Sequence, residues 1–194
     1  PVPAFDAVIF DEAHNLEDVA SAFMGFSLTD RKVKRLLDDI FNQKSGKGLA
    51  KRLKTPPANW LPAMQQAVAE VNFASKTFFH DIREALDFDA PDGKGQLKAR
   101  RVRKPRLVEN TLAGPLLAMT VLLSEAIGHS KSAQEEAEIK GHLVRCLALA
   151  EQTAAFLKCD EAGSAYWVES SYSGRTPTLS LNMSPVDVAE YLRK

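Results

Sequence analysis

Two adjacent carboxylates and an imidazole lie close together near the start of the chain, where Asp11-Glu12-Ala13-His14 follows the apolar run from Ala7 to Phe10. The run predicts a strand buried on both faces, as in a parallel sheet. Ligands of open α/β sheets bind at the C-terminal ends of such strands. Two acids there are costly unless a cation offsets them, and a Mg²⁺-bound nucleotide would do so. The pattern therefore indicates metal-assisted phosphate chemistry, with one acid holding the metal and the other orienting water.

The same four residues have a plainer interpretation, because the helix dipole favours acids in the first turn of a helix. The strand before them and the segment from Asn15 to Ala20 after them favour the chemical interpretation. Together these residues resemble motif II (Walker B) of the superfamily 2 helicases. The resemblance implies that Asp11 holds Mg²⁺, that Glu12 polarises the water attacking the γ-phosphate, and that His14 couples the nucleotide state to neighbouring motifs.

Amphipathic helices are predicted for most of the chain after this motif. Asn15, Thr29 and Ser132 are suited to cap helix N-termini. The helix that follows Pro56-Pro57 carries an apolar seam at near-heptad spacing, which requires a partner helix. Long helices joined by short connections pack antiparallel. The predicted helices cover residues 17–23, 30–41, 59–86, 109–128 and 132–158.

Two alternating segments near the C-terminus predict a β-hairpin, with strands over 165–169 and 178–183. A further short strand is predicted over 96–102. Ser184 and Pro185 predict the start of a final helix over 186–193. The expected fold class is therefore mainly α: an antiparallel helical bundle with a short N-terminal strand and a C-terminal β-hairpin.

Two basic segments interrupt the helices, although the whole chain has 25 basic and 25 acidic residues. They cover 44–54 and 94–106 and hold 12 of the 25 basic residues. Such a segment is either a solvated loop or a surface that contacts phosphates. No aromatic residues are interleaved, so base stacking is not indicated. The candidate DNA-binding residues are Lys47, Lys51, Arg52, Lys94, Lys98, Arg100, Arg101, Arg103, Lys104 and Arg106.

Other motifs argue against several kinds of site. The triplets Gly46-Lys47-Gly48 and Gly93-Lys94-Gly95 have Gly where a phosphate-binding P-loop needs Ser or Thr. Cys146 and Cys159 have neither metal-knuckle nor disulfide spacing. His142 and Cys146 share a helix face, and packing explains them better than a two-ligand metal site does. No apolar run approaches the length of a membrane span, no signal peptide precedes the first strand, and a cytoplasmic setting without a membrane partner is expected.

Three features in one order extend the resemblance: motif II, a helical insertion of about 140 residues, and the C-terminal segments Tyr166 to Glu169 and Leu181 to Val188. This order resembles the DinG/YoaA branch of the XPD-like DNA helicases. In that family an Arch domain is inserted into the first motor domain between motifs II and III. The resemblance implies a motor segment over 1–23, an Arch domain over 24–163 and a return to the motor over 164–194.

The resemblance also implies ligands and partners for a larger parent protein. The parent would bind Mg²⁺ and ATP, hydrolyse ATP, pass single-stranded DNA beside the Arch, and work with replication or repair proteins. It would hold an iron–sulfur cluster through four cysteines that precede motif II and lie outside this chain. Because Pro1-Val2-Pro3 comes directly before the first strand, without a methionine, we expect an excised piece of that parent. Without Walker A and the second motor domain, the piece alone is expected to be inactive towards ATP.

A helical protein–protein interaction module, with a chance Asp-Glu-Ala-His sequence, is the alternative hypothesis. Its basic loops would then bind a protein or a membrane surface. The terminal hairpin distinguishes the two, since an isolated bundle needs neither it nor a buried N-terminal strand. An inserted domain leaves and re-enters its host at neighbouring points, so the insertion hypothesis predicts that residues near 10 and near 180 are close in space.

Overall fold

A four-stranded antiparallel sheet and a set of packed helices make up the part of the chain that our computed structural model describes, residues 11–88, 98–173 and 176–188. A 3-10 turn over Ala13–Asn15 precedes the first helix. The strand order in the sheet is β1-β4-β3-β2. In chain order the elements are α1 (Leu16–Met24), β1 (Phe26–Thr29), α2 (Asp30–Phe41), α3 (Leu49–Arg52), α4 (Trp60–Ala85), β2 (Lys98–Val102), α5 (Ala113–Ile127), α6 (Ala133–Lys158), β3 (Ser164–Ser173) and β4 (Thr176–Pro185).

The fold is helix-rich but mixed, which corrects the expectation of a helical bundle with only a terminal hairpin. The hairpin itself is confirmed, and it is longer than predicted, since β3 and β4 pair from Ser164↔Pro185 to Ser173↔Thr176. On its outer edges lie β2, which was predicted, and β1, which was not. The four residues of β1 give too short an alternation to be recognised. The strand expected over residues 7–10 lies outside the described residues.

The predicted helices are present, with differences at their ends. Thr29 and Ser132 cap α2 and α6 as expected, because their hydroxyls accept from the N–H groups of Lys32 and Glu135, each at 3.1 Å. Asn15 makes no such side-chain bond at the start of α1. The third long helix begins later than predicted, at Ala113, where Asn110 Oδ1 accepts from the Ala113 N–H at 3.0 Å. The four residues of α3 were not predicted.

No helix begins at Val186, which corrects the predicted final helix over its first three residues; residues 189–193 lie outside the described part. The reason is that β4 continues through Pro185. The Val186 N–H then donates to Gly163 O at 2.7 Å and closes the open end of the hairpin. Ser184, expected as a cap, instead uses its hydroxyl to bind Ser21 O at 3.3 Å.

The apolar seam of α4 is buried as predicted, and it places α4 between α2 and α5. Trp60, at its start, is 2% exposed and donates its indole N–H to Leu122 O of α5 at 2.7 Å. Of the two phenylalanines outside this seam, Phe79 is buried, whereas Phe73 is 73% exposed. Within the described ranges, no helix is both long enough and apolar enough to cross a membrane.

The segment that follows the Asp-Glu-Ala-His sequence contacts the end of β4. We call this contact the junction: residues 21–26 on one side and 183–186 on the other. It contains the bond from Ser184 to Ser21 and the strand pair Phe26↔Met183. At Gly25 a Cβ atom would lie 2.3 Å from Met183 O, so the crossing requires glycine. The junction therefore places residues 21–26 beside residues 183–186. The predicted proximity of residue 10 to residues near 180 concerns a position outside the described residues.

Candidate functional site

The acids predicted to do chemistry lie on an exposed turn that leads into α1. The Glu12 N–H donates to Asp11 Oδ1 at 3.0 Å, and the Asn15 N–H donates to Glu12 O at 2.9 Å. Glu12 has a positive φ of 53°, which is uncommon for a residue other than glycine. His14 Nδ1 lies 3.2 Å from Glu12 Oε2. The turn therefore brings Asp11, Glu12 and His14 together, with both carboxylates and the imidazole reaching solvent.

This donor set fits part of a Mg²⁺ site. Mg²⁺ in nucleotide enzymes is bound through one or two carboxylates, with substrate phosphates and water completing the octahedron. Asp11 would hold the ion, and phosphate oxygens would have to supply the other ligands. Among the described residues there is no cluster of three or more His, Cys, Asp or Glu side chains that could hold a metal alone. The turn fits an ion that arrives with a nucleotide.

An iron–sulfur cluster is usually held by four cysteine thiolates, and this chain has only two cysteines, Cys146 and Cys159. Burial raises the pKa of the Cys146 thiol to about 12. Burial also raises the pKa of Cys159, whose Sγ lies 3.9 Å from Val102 O. His142 and Cys146 are both buried, and within the described part of the chain His142 Nδ1 has no hydrogen-bond partner. Both His142 and Cys146 pack in the interior, which agrees with the preference for packing over metal binding.

The geometry of β2 places basic residues of the second segment on opposite faces of the strand. Side chains alternate between the faces of β2, so Arg100 lies on the side of buried Val102 and Arg101 lies on the other side. The Arg100 guanidinium carbon lies 5.9 Å from the centre of the Phe88 ring, a cation–π contact. Arg101 lies directly opposite Trp167 of β3 in the β2–β3 ladder. Arg103, Lys104 and Arg106 are exposed after the strand, Lys98 is half-buried at its start, and Lys94 lies outside the described residues.

The first basic segment is partly neutralised by an acid from elsewhere in the chain. Arg52, at the end of α3, forms an ion pair with Glu138 of α6. The Lys54 N–H donates to Glu135 Oε1 at 3.3 Å and fixes the same loop against α6. Lys47 and Lys51 are exposed. The ion pair with Glu138 therefore makes Arg52 the candidate on this segment that is least suited to bind phosphate.

The two basic segments contact opposite ends of α6. The first contacts Glu138, whereas the second is fixed near Leu157, whose carbonyl accepts from the Arg106 N–H at 2.7 Å. These two positions are nineteen residues apart along α6, or about 29 Å at 1.5 Å per residue. The two basic segments therefore contact α6 at well-separated positions.

A third group of cations was missed by the sequence analysis. A groove of about 900 Å³ lies between α2 and α4, and we call it the α2–α4 groove. Five of its lining residues are Lys or Arg and two are Asp. Burial raises the pKa of one of these, Asp30, against the opposing effect of the Arg31 N–H. The sequence showed these cations only as ordinary polar positions on two amphipathic helices. The pairing of those helices, which brings the cations together, was not specified. The cationic lining residues are Arg31, Lys34, Lys44, Lys76 and Arg83.

Comparison with known proteins gives no relative from which a function could be transferred. No family model matches the chain, and a search of curated proteins found no matching sequence. The functional argument therefore depends on the residues and their arrangement.

Proposed function

We propose that this chain is the Arch portion of an ATP-dependent DNA helicase, with the motif II acids of its first motor domain at the N-terminal end. In the parent, the Arch would help to form the passage for single-stranded DNA. The observation that carries the proposal is the junction. The segment after Asp11-Glu12-Ala13-His14 lies against the end of β4, held by the Ser184–Ser21 bond and the Phe26↔Met183 pair. A domain inserted into a host has this arrangement.

Apolar side chains exposed beside the junction support the same proposal. Val19 and Phe23 are one turn apart on α1 and are 63% and 87% exposed. Val186, just after β4, is 65% exposed. Large apolar side chains grouped in this way mark a surface that another domain covers. In the proposed parent, the covering domain is the first motor domain.

The proposed chemistry assigns a role to each residue of the turn. Asp11 would hold Mg²⁺, Glu12 would orient the attacking water, and His14, 3.2 Å from Glu12, would link the nucleotide state to the neighbouring motifs. The 194 residues contain no Gly-x-x-x-x-Gly-Lys-Ser/Thr loop to bind phosphates. The chain alone is therefore expected neither to bind ATP measurably nor to hydrolyse it. An iron–sulfur cluster in the parent would depend on cysteines other than Cys146 and Cys159.

The test is Glu12→Gln in the full-length parent. We expect DNA-stimulated ATP hydrolysis to fall by at least about 100-fold, the usual contribution of a positioned base, while nucleotide binding persists. Glu17→Gln, an acid slightly further along the same segment, is the matched control and should retain activity. Normal turnover in the Glu12 variant would mean that this acid only begins a helix, and the proposal would fail.

A further inference from the structure

The α2–α4 groove concentrates positive charge in a chain that is neutral overall. Its lining has five Lys or Arg against two Asp, whereas the whole chain has 25 of each sign. The cations come from both walls: Arg31 and Lys34 from α2, Lys76 and Arg83 from α4, and Lys44 from the loop that follows α2. A ligand in the groove would therefore meet positive charge from two sides.

Three of these cations are available to a ligand. The side chains of Lys34, Lys44 and Lys76 are exposed. Within the described residues these side chains form no ion pair or hydrogen bond, in contrast to Lys140 and Lys158, which pair with Glu136 and Asp160. Ammonium groups held around a concave surface without internal carboxylate partners attract an anionic ligand.

The floor of the groove is apolar, and its lining also includes two amides. Leu37, Phe41 and Phe79 line the floor. Asn42 and Asn72 also line the groove. Asn72 has a donor and an acceptor for a peptide backbone, whereas Asn42 can offer only an N–H, because its Oδ1 already accepts from the N–H groups of Lys44 and Ser45. Asn42 already donates to Asp38 Oδ1 at 3.0 Å and accepts from the Lys44 N–H at 3.0 Å, so its amide is held in place. The groove therefore combines cations, an apolar floor and one fixed amide group, that of Asn42.

This combination favours an acidic peptide over a nucleic acid. Single-stranded nucleic acids stack whole bases on open aromatic ring faces, which Phe41 and Phe79, at 8% and 6% exposed, do not offer, whereas one apolar side chain needs only a small contact area. Asp30 and Asp38 would also repel a continuous phosphate chain that filled the groove. A peptide can place carboxylates at the lysines, an apolar side chain on the floor, and its own N–H groups opposite the aspartates.

We propose that the α2–α4 groove binds an acidic peptide segment of a partner protein, anchored by at least one apolar side chain. Lys34, Lys44 and Lys76 recognise its carboxylates, and the anchor side chain packs over Leu37 and Phe79. The site is on the described chain itself and does not depend on the helicase assignment. Recognition of this kind is expected to be salt-dependent, because the lysines are exposed.

The test uses the whole 194-residue chain and a fluorescein-labelled peptide of about twelve residues, rich in Asp, with a Leu-Phe pair at its centre. Fluorescence anisotropy at two salt concentrations measures the affinity. We expect saturable binding that weakens with salt and that falls at least about tenfold in the Lys34→Glu/Lys44→Glu/Lys76→Glu variant. The matched control, Lys51→Glu/Lys104→Glu/Lys131→Glu, makes the same change in net charge outside the groove and should bind normally.

Two further arms separate the peptide proposal from simple charge attraction. A peptide with Ser-Ser in place of Leu-Phe should bind at least about tenfold more weakly, because it has no anchor for the floor. Asn72→Trp, at a half-buried lining position, should block the groove and weaken binding without reversing any charge. Absence of peptide binding, equal affinity for both peptides, or stronger groove-dependent binding of a single-stranded oligonucleotide would overturn the proposal.

Discussion

The second basic segment, which includes β2, and the α2–α4 groove are both rich in cations. They differ in how the sequence and the fold arrange those cations. The basic residues of the second segment are close together in the sequence, but the fold separates them. Arg100 lies over Phe88, and Arg101 lies on the other face of β2. The groove collects its charge from residues more than forty positions apart, such as Lys34 and Lys76, and the fold brings them together. A run of cations in the sequence is therefore a poor guide to a cationic surface.

The comparison predicts different sensitivities to packing, and the largest effect is expected from Phe78→Ala. Phe78 is fully buried in α4, and its ring contacts that of Phe79, a floor residue of the groove, with ring centres 5.4 Å apart. Removal of the ring should lower the free energy of unfolding by about 3–5 kcal/mol and weaken peptide binding in the groove.

Urea unfolding measures the first effect. Phe73→Ala makes the same change on the same helix at a side chain that is 73% exposed, and it should alter stability by less than about 0.5 kcal/mol. Equal decreases in the two variants would mean that α4 does not pack as described.

An intermediate effect is expected on DNA binding by the full-length parent. Replacing Arg100, Arg101, Arg103 and Lys104 with Ala should weaken binding of single-stranded DNA. The salt slope should also fall, by about 0.7 for each DNA phosphate that the variant no longer neutralises. ATP hydrolysis without DNA should not change.

The groove variant Lys34→Ala/Lys44→Ala/Lys76→Ala tests the difference between the two regions directly. Its affinity for DNA should equal that of the wild type. If the segment variant binds DNA with wild-type affinity and salt slope, the basic segment is a solvated loop. If the groove variant binds DNA more weakly instead, the contrast between the two regions is wrong.

The smallest effect is expected from a change in pH. It acts through His142, a buried residue within α6. Burial lowers the pKa of His142, and the nearby Arg145 lowers it further. The unfolded chain keeps an ordinary His pKa of about 6.5, so the unfolded state binds the proton more readily. The stabilisation is therefore fully present above about pH 6.5, and it is lost as pH falls through the lowered pKa of the folded state.

Urea unfolding between pH 8 and pH 5 should show this decrease in stability in the wild type. The decrease should be smaller in His142→Leu, which also removes the Nδ1 atom that has no hydrogen-bond partner. His129→Gln, at an exposed position, should keep the wild-type pH dependence. An identical dependence in His142→Leu would assign the acid sensitivity to other groups.

The sequence predicted the elements whose signals are local. Thr29 and Ser132 mark helix starts because a cap is a contact between residues three apart. The hairpin was recognised from alternation on both of its strands. The sequence could not predict β1, because four residues become a strand only through pairing with β4, more than 150 positions away. The predicted final helix does not begin at Val186, because β4 pairs with β3 through Pro185; residues 189–193 lie outside the described residues.

The candidate site residues show the same difference between local and long-range relations. The sequence predicted that Asp11, Glu12 and His14 would act together, and their proximity follows from a single turn. It could not predict that Arg52 is paired with Glu138 or that Lys34 and Lys76 share a groove. Those relations depend on which helices pack together, and amphipathic periodicity shows that a helix needs a partner without showing which one.

The strand pairing at the junction also determines how the β1–β4 ladder responds to force. The Phe26↔Met183 pair lies at the end of the β1–β4 ladder where the chain enters β1, while β4 continues two residues further beside β3. Because ladder hydrogen bonds lie perpendicular to the strands, tension that separates the two segments loads these bonds one after another. The same tension applied along the strands would load all of them together. Tension that separates the two segments should therefore open the β1–β4 ladder from Phe26 towards Thr29, one pair at a time.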